Sequence, residues 1–183
     1  MKGKFTVITG PMFSGKTTTL QIEYDKARKV GKPRIYKPSI DDRYSIDEVV
    51  THDGEKREAV NCKNAEELEL FSTGGDITDI FIDEAQFFDP MIVGVVQNLL
   101  NEGKNVYVAC LNQDYRGTPF SLGRPDYNVG ELLARADDIK YLKARCETCG
   151  EEASKTYRKS QGGSTVELGS GDKYEARCYK HHS

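Results

Sequence analysis

Residues 4–17 read Lys4-Phe5-Thr6-Val7-Ile8-Thr9-Gly10-Pro11-Met12-Phe13-Ser14-Gly15-Lys16-Thr17. Lys4–Thr9 is short, apolar and β-branched, the signature of a buried strand. The eight residues that follow match G-x-x-x-x-G-K-[ST], a phosphate-binding loop when a strand precedes it and a helix follows. The helix is predicted over Lys16–Val30: Leu20, Tyr24 and Ala27 share one face, and Gly31 ends it. The chemistry follows from the residue types. Glycines let the backbone wrap an anion without Cβ clashes, and amide N–H groups at a helix start point at it. Lys16 brings positive charge to β- and γ-phosphates, and Thr17 offers a hydroxyl to Mg²⁺.

Outward from this loop, strands and helices alternate. Arg34–Lys37 is predicted as a strand stopped by Pro38, and Ser39–Asp53 as a polar surface loop. His52 within it has no catalytic role assigned. Ala59–Cys62 reads as an edge strand, and Asn64 with Glu67 has capping-box spacing ahead of a short helix ending near Phe71. Asp79–Ile82 and Asn105–Leu111 are further strands. Between them Asp89-Pro90 opens a helix whose Ile92, Val93, Val96, Leu99 and Leu100 recur with helical period. Asn112–Asn128 has no clear period and reads as a long loop, Val129–Ala136 is a short helix, and Ile139–Ala144 is the last predicted strand. The alternation implies an α/β fold with a parallel sheet and helices on both faces.

The strand Asp79–Ile82 ends in Asp83-Glu84. Beside a phosphate loop, Asp83 is placed to hold Mg²⁺. Glu84, pointing to another side, can orient a water or accept a proton from a substrate hydroxyl.

The character of the chain changes at Cys146. Cys146-x-x-Cys149 and Cys178-x-x-His181 are two ligand pairs separated by a long insert, which with a hairpin between them can build a tetrahedral S₃N zinc site. His182 is an alternative to His181. Four protein ligands leave no open position, so the site is structural. The organisation expected is residues 1–145 as a nucleotide-binding domain and 146–183 as a small zinc module. Cys62 and Cys110 read as small buried hydrophobes.

Composition narrows the function. A chain of 183 residues accommodates one domain with a small appendage. Lys plus Arg total 26 against 29 for Asp plus Glu, so a net charge of -3 argues against broad electrostatic binding of nucleic acid or anionic membrane. No apolar run approaches a membrane span, Met1–Thr9 is too short for a signal peptide, and five cysteines are an odd number. A soluble, cytoplasmic protein without disulfides is expected. Two functions that a phosphate loop can serve are disfavoured. A nucleic-acid-binding ATPase with a zinc ribbon lacks the basic stripe it needs. A GTPase switch lacks its guanine-reading motif, since Leu111-Asn112-Gln113-Asp114 is not Asn-Lys-x-Asp.

The ordered set of segments resembles the type II, zinc-containing thymidine kinases over essentially the whole chain. It comprises Gly10–Thr17 with Met12 and Phe13 inside, Lys37-Pro38 followed by Asp41-x-Arg43-Tyr44, Thr51-His52-Asp53, Asp83-Glu84-Ala85-Gln86-Phe87-Phe88, and the Cys146/Cys149/Cys178/His181 set. The resemblance implies a RecA-like phosphate-loop domain with a zinc-binding lasso domain, and transfer of the γ-phosphoryl of ATP to the 5′-hydroxyl of thymidine. It further implies Mg²⁺, structural Zn²⁺, a homotetramer, feedback inhibition by dTTP and a place in pyrimidine salvage. Under it the ATP site is Gly10, Pro11, Met12, Phe13, Ser14, Gly15, Lys16 and Thr17 with Asp83, Glu84, Ala85 and Gln86. Thr17 and Asp83 match magnesium positions, Glu84 the general base, and Lys16 and Arg43 the charges that neutralise phosphate. Met12, Phe87, Leu111, Tyr115 and Phe120 match positions around the base, and Thr156, Gly169 and Tyr174 match lasso contacts to thymidine. The chain departs from relatives at Ala85 (glycine in many), at Tyr115 (phenylalanine in some) and at His181 (cysteine in several).

Overall fold

The computed structural model describes residues 2–39, 48–50, 56–159 and 173–182. In chain order the first elements are β1 (Phe5–Gly10), α1 (Lys16–Arg28), β2 (Pro33–Pro38), β3 (Glu48–Val50), β4 (Lys56–Glu58), β5 (Val60–Cys62) and α2 (Ala65–Ser72). Then come β6 (Asp79–Ile82), α3 (Ile92–Asn101), β7 (Asn105–Leu111), β8 (Ser121–Arg124), β9 (Tyr127–Asn128), α4 (Gly130–Leu133) and β10 (Asp138–Tyr141). Six of these strands form one parallel sheet in the order β10-β1-β7-β6-β2-β5.

Alternation along the buried strands makes two cores, one on each face of the sheet. Phe5 and Val7 of β1, Ile80 and Ile82 of β6, and Val106 and Val108 of β7 pack with Leu68 of α2 and with Ile92, Val96 and Leu99 of α3. Their neighbours Ile8, Phe81 and Ala109 face the other way, onto Leu20 and Ala27 of α1, with Tyr24 beside them. The helix-period residues of α3 are therefore all core, and Val95 is buried as well. Asn64 caps α2 by accepting the Glu67 amide at 2.8 Å, and the Glu67 carboxylate reaches back to the Lys63 amide at 2.6 Å.

Three expectations need correction. The segment Ser39–Asp53 is not all loop: β3 pairs antiparallel with β4. Asn112–Asn128 contains an antiparallel hairpin of β8 and β9, whose short strands are too brief to show a period in sequence. The last strand of the sheet stops at Tyr141. Ala144–Arg145 (β11) pairs instead with Glu152–Ala153 (β12). A second hairpin joins Lys155–Arg158 (β13) to Tyr174–Arg177 (β14). Ala144, Cys146, Ala153 and Ala176 form a small core of their own under these strands.

Candidate functional site

The phosphate loop leaves the carboxyl end of β1, where ligands of open α/β sheets bind. Gly10 has φ +152° there, and a Cβ on it would lie 2.3 Å from the Leu142 carbonyl oxygen. Gly15 has φ +81° and stands at the N-cap of α1 without a capping side chain, so the first amides of the helix face the loop. Lys16 is buried. Its Nζ donates to the Pro11 carbonyl at 2.6 Å and lies 3.5 Å from Ser14 Oγ. Burial lowers the Lys16 pKa, while the charges of Glu84 and Asp83 oppose that shift.

The end of β6 meets this loop. Thr17 Oγ1 donates to Asp83 Oδ2 at 2.9 Å, joining residues 66 apart in sequence. Asp83 also accepts the Glu84 amide at 3.0 Å. Burial first, and Glu84 next, push the Asp83 carboxyl up to about 7, against the hydrogen bonds from Thr17 and the Glu84 amide and the charge of Lys16. The chain then turns sharply, because Glu84 adopts a left-handed backbone with φ 51°. Phe13, with φ 64°, is the other non-glycine residue of this kind among the described residues. Each such conformation costs about 1–3 kcal/mol. Both lie at the site, so backbone strain is concentrated where the acidic turn and the phosphate loop converge.

Gln86 is 1% exposed and spans two parts of the site. Its Nε2 donates to Glu84 Oε2, and its Oε1 accepts the Leu111 amide at 3.1 Å. Leu111 ends β7, so the amide fixes the Glu84 carboxylate relative to a neighbouring strand.

The residues expected around the base fall into two groups. Phe87 and Phe120 meet edge to face at 5.7 Å, and Leu111 and Phe87 pack against the same core cluster as Phe120. Phe88, next to them, is plain core at 2% exposure. On the other side, Thr156 Oγ1 accepts the Met12 amide at 3.0 Å, which brings β13 onto the phosphate loop. The Arg158 guanidinium lies 4.9 Å from the centre of the Tyr115 ring, and Tyr174 is buried opposite Arg158 in the β13–β14 hairpin. Arg43, with Asp41, and Gly169 lie outside the described residues.

Cys146, Cys149, Cys178 and His181 place their ligand atoms within 4.8 Å of one another. His181 Nδ1 is 3.2 Å from Cys178 Sγ and 3.8 Å from Cys146 Sγ. Burial pushes the Cys146 thiol up, but the amides of Cys178, Cys149 and Thr148 and the His181 ring outweigh it and bring it to about 5. Three sulfurs, one of them held as thiolate, and an imidazole are the donor set of a closed zinc site. His182 is turned elsewhere: its Nε2 lies 2.9 Å from the Tyr115 carbonyl oxygen and 3.1 Å from that of Thr156. Cys62 and Cys110 are buried, with thiols that burial raises to about 12.

Sequence reasoning missed Asp114. Its carboxylate accepts the amides of Arg116 and Thr118 at 2.9 and 3.2 Å and the Arg116 guanidinium at 2.7 Å, folding residues 114–118 on themselves. Asp114-x-Arg116-Gly117 was a legible signal for such a turn. No helix among the described residues is long and apolar enough to cross a membrane.

A model of the family described as thymidine kinase matches residues 3–182. The chain is 38% identical over 192 aligned residues to a thymidine kinase of Thermococcus kodakarensis, covering 98% of this chain and 94% of that protein. It is 36% identical over 182 residues to a thymidine kinase of Pseudothermotoga lettingae, covering 97% and 94% respectively.

Proposed function

The chain belongs to the thymidine kinase family, and from that premise we propose that it transfers the γ-phosphoryl of ATP to the 5′-hydroxyl of thymidine, giving dTMP and ADP. The observation that carries this reading is the 2.9 Å contact between Thr17 and Asp83. It unites the phosphate loop with a carboxylate pair in one site, as phosphoryl transfer to a hydroxyl requires.

Each residue has a role in this reading. The loop amides of Gly10–Gly15 and the start of α1 bind the phosphates, and Lys16 Nζ moves from the Pro11 carbonyl to the β/γ-oxygens. Arg43 adds a second positive charge. Thr17 and Asp83 hold Mg²⁺, which supplies charge neutralisation on the transferring phosphoryl when bound. The Asp83 environment suits that ion, because a buried carboxyl beside another carboxylate gains most from a cation. Glu84 accepts the proton of the 5′-hydroxyl as the new P–O bond forms and the bond from the γ-phosphorus to the bridging oxygen breaks, leaving that oxygen on ADP, and Ala85 and Gln86 fix the turn that presents it.

Met12, Phe87, Leu111, Tyr115 and Phe120 surround the pyrimidine, and Thr156, Gly169 and Tyr174 close over it from the zinc module. The aromatic rings supply flat apolar surface. Zn²⁺ in the Cys146/Cys149/Cys178/His181 cluster is structural and ties the ends of the hairpin that carries Thr156. The enzyme acts as a cytoplasmic homotetramer in nucleotide salvage, inhibited by dTTP and without nucleic-acid partners.

The test is kcat/KM for a panel of nucleosides at saturating ATP and Mg²⁺. Thymidine should be best. Deoxyuridine should be accepted, because one methyl in an apolar pocket is worth only about 1–3 kcal/mol. Uridine and deoxyguanosine should be rejected. Either one matching thymidine would overturn the pocket proposed.

A further inference from the structure

His182 follows a ligand of the Cys₃His cluster, yet its ring does other work. Both of its partners, the carbonyls of Tyr115 and Thr156, only accept hydrogen bonds. Nε2 therefore carries the hydrogen and shares it between them. The two carbonyls belong to different parts of the molecule. Tyr115 sits in the turn folded around Asp114, within the loop that follows β7. Thr156 is on β13, and its hydroxyl accepts the Met12 amide of the phosphate loop at 3.0 Å. One imidazole thus stands at the point where the zinc module, the 112–120 loop and, through Thr156, the phosphate loop meet.

The surroundings show how much of the alignment depends on this ring. The 112–120 loop is well bonded internally, with Asp114 N donating to the Thr118 carbonyl at 2.9 Å and Gly117 N to the Asp114 carbonyl at 3.0 Å. Internal bonds preserve its shape but do not set its position against β13. Two side chains of β13 reach across: Lys155 Nζ donates to Gln113 Oε1 at 2.9 Å, and the Arg158 guanidinium lies over the Tyr115 ring. Lys155 is long and rotamer-rich, so it holds a position loosely; Arg158 is buried, but its guanidinium meets the Tyr115 ring and leaves the Tyr115 carbonyl to another partner. His182 is short, and its neighbour His181 lies 3.2 Å from Cys178 Sγ, so its backbone is anchored within one residue. It also meets the Tyr157 ring edge to face at 6.5 Å.

We infer that His182 is a positioning residue of the nucleoside site: its shared N–H locks the Tyr115 turn to β13 and thereby sets the distance between the two walls of the pocket. This rests on the reading that Tyr115 and Thr156 line the thymidine pocket. It gives the second histidine a role apart from metal binding, and makes the register of the zinc module a determinant of nucleoside affinity.

The experiment compares the full-length protein with His182→Ala, His182→Phe and His182→Gln. Glutamine offers two N–H donors, one for each carbonyl. The readouts are amide hydrogen exchange over residues 113–120, zinc per chain, and the KM values for thymidine and ATP. In His182→Ala and His182→Phe, exchange over 113–120 should quicken and the thymidine KM should rise about 2- to 13-fold, the equivalent of one net hydrogen bond. The ATP KM and one zinc per chain should be retained, and His182→Gln should recover most of the loss. Unchanged exchange or an unchanged thymidine KM in His182→Ala and His182→Phe would overturn the inference. So would loss of zinc, or equal rises in both KM values. The exchange readout needs no turnover. Failure of the kinase reading would appear separately, as a wild-type protein that does not phosphorylate thymidine.

Discussion

Gln86 allows the catalytic geometry to be probed without touching the proposed base. The Leu111 N–H is a donor only, so the Gln86 carbonyl must face it and the amide nitrogen must face Glu84. One Glu84 oxygen is thereby occupied and the other left to receive a proton. Gln86→Met keeps the volume and removes both bonds. Gln86→Glu keeps the acceptor for Leu111 but sets a second carboxylate against Glu84. A hydrogen bond to a charged group is worth about 1.5–3 kcal/mol, so loss of orientation in either variant should lower kcat about 10- to 100-fold. Both variants cost stability, by different routes: Gln86→Met strands a Leu111 amide at about 1–3 kcal/mol, whereas Gln86→Glu keeps that bond but buries a second carboxylate beside Glu84. The assay is steady-state kinetics in a double-mutant cycle with Glu84→Gln, which should itself lower kcat about 10²- to 10⁴-fold. If Gln86 acts through Glu84, Gln86→Met should add little on the Glu84→Gln background. A near-normal kcat in Gln86→Met, or full additivity in the cycle, would refute the reasoning.

Three further predictions concern the rest of the site. Gly10→Ala should raise the ATP KM at least about tenfold, because its Cβ would meet the Leu142 carbonyl at 2.3 Å and φ +152° is strained for alanine. A normal KM would show that the loop does not need this approach. Elemental analysis should find one zinc per chain in the wild type and a loss in Cys149→Ser, with weaker thymidine binding in the variant; zinc-free wild type under metal-replete conditions would contradict the assignment. Asp83 is held near 7 in the folded protein against an ordinary 3.8, so folding favours its protonated form. The stability this group contributes is present below about pH 4 and lost as pH rises toward 7. Without Mg²⁺ and ATP the melting temperature should fall between about pH 4 and 7 more steeply than in Asp83→Asn. Parallel profiles for the two proteins would count against it.

Much of this was legible because local signals and tertiary needs agree. Lys4–Thr17 carries strand, loop and helix start in one stretch, and β1 and α1 form within a residue or two of the expected bounds. The buried strands β6 and β7 coincide with Asp79–Ile82 and Asn105–Leu111 because each is an apolar run flanked by polar residues. The helical period of α3 marked its core face. Elements with little apolar content were harder. Strands β3, β8 and β9 have two to four residues each and are held by antiparallel pairing, which leaves no periodic trace. In the site, the motif residues announced themselves by type and spacing. The hydrogen bonds that orient them did not. Gln86 reaches Leu111, Thr156 reaches Met12, and His182 reaches Tyr115, all across 25 to 144 positions of sequence. A choice between His181 and His182 as metal ligand needed coordinates, since both spacings suit a knuckle.

In the proposed reaction one site moves a phosphoryl group from ATP to thymidine. Following ATP labelled at the γ-phosphorus by ³¹P NMR or radiolabel, with and without thymidine and Mg²⁺, tests it most directly. Label should appear in thymidine 5′-monophosphate in equal amount to ADP, only when thymidine and Mg²⁺ are both present. Label released as inorganic phosphate at the same rate with or without thymidine would contradict it.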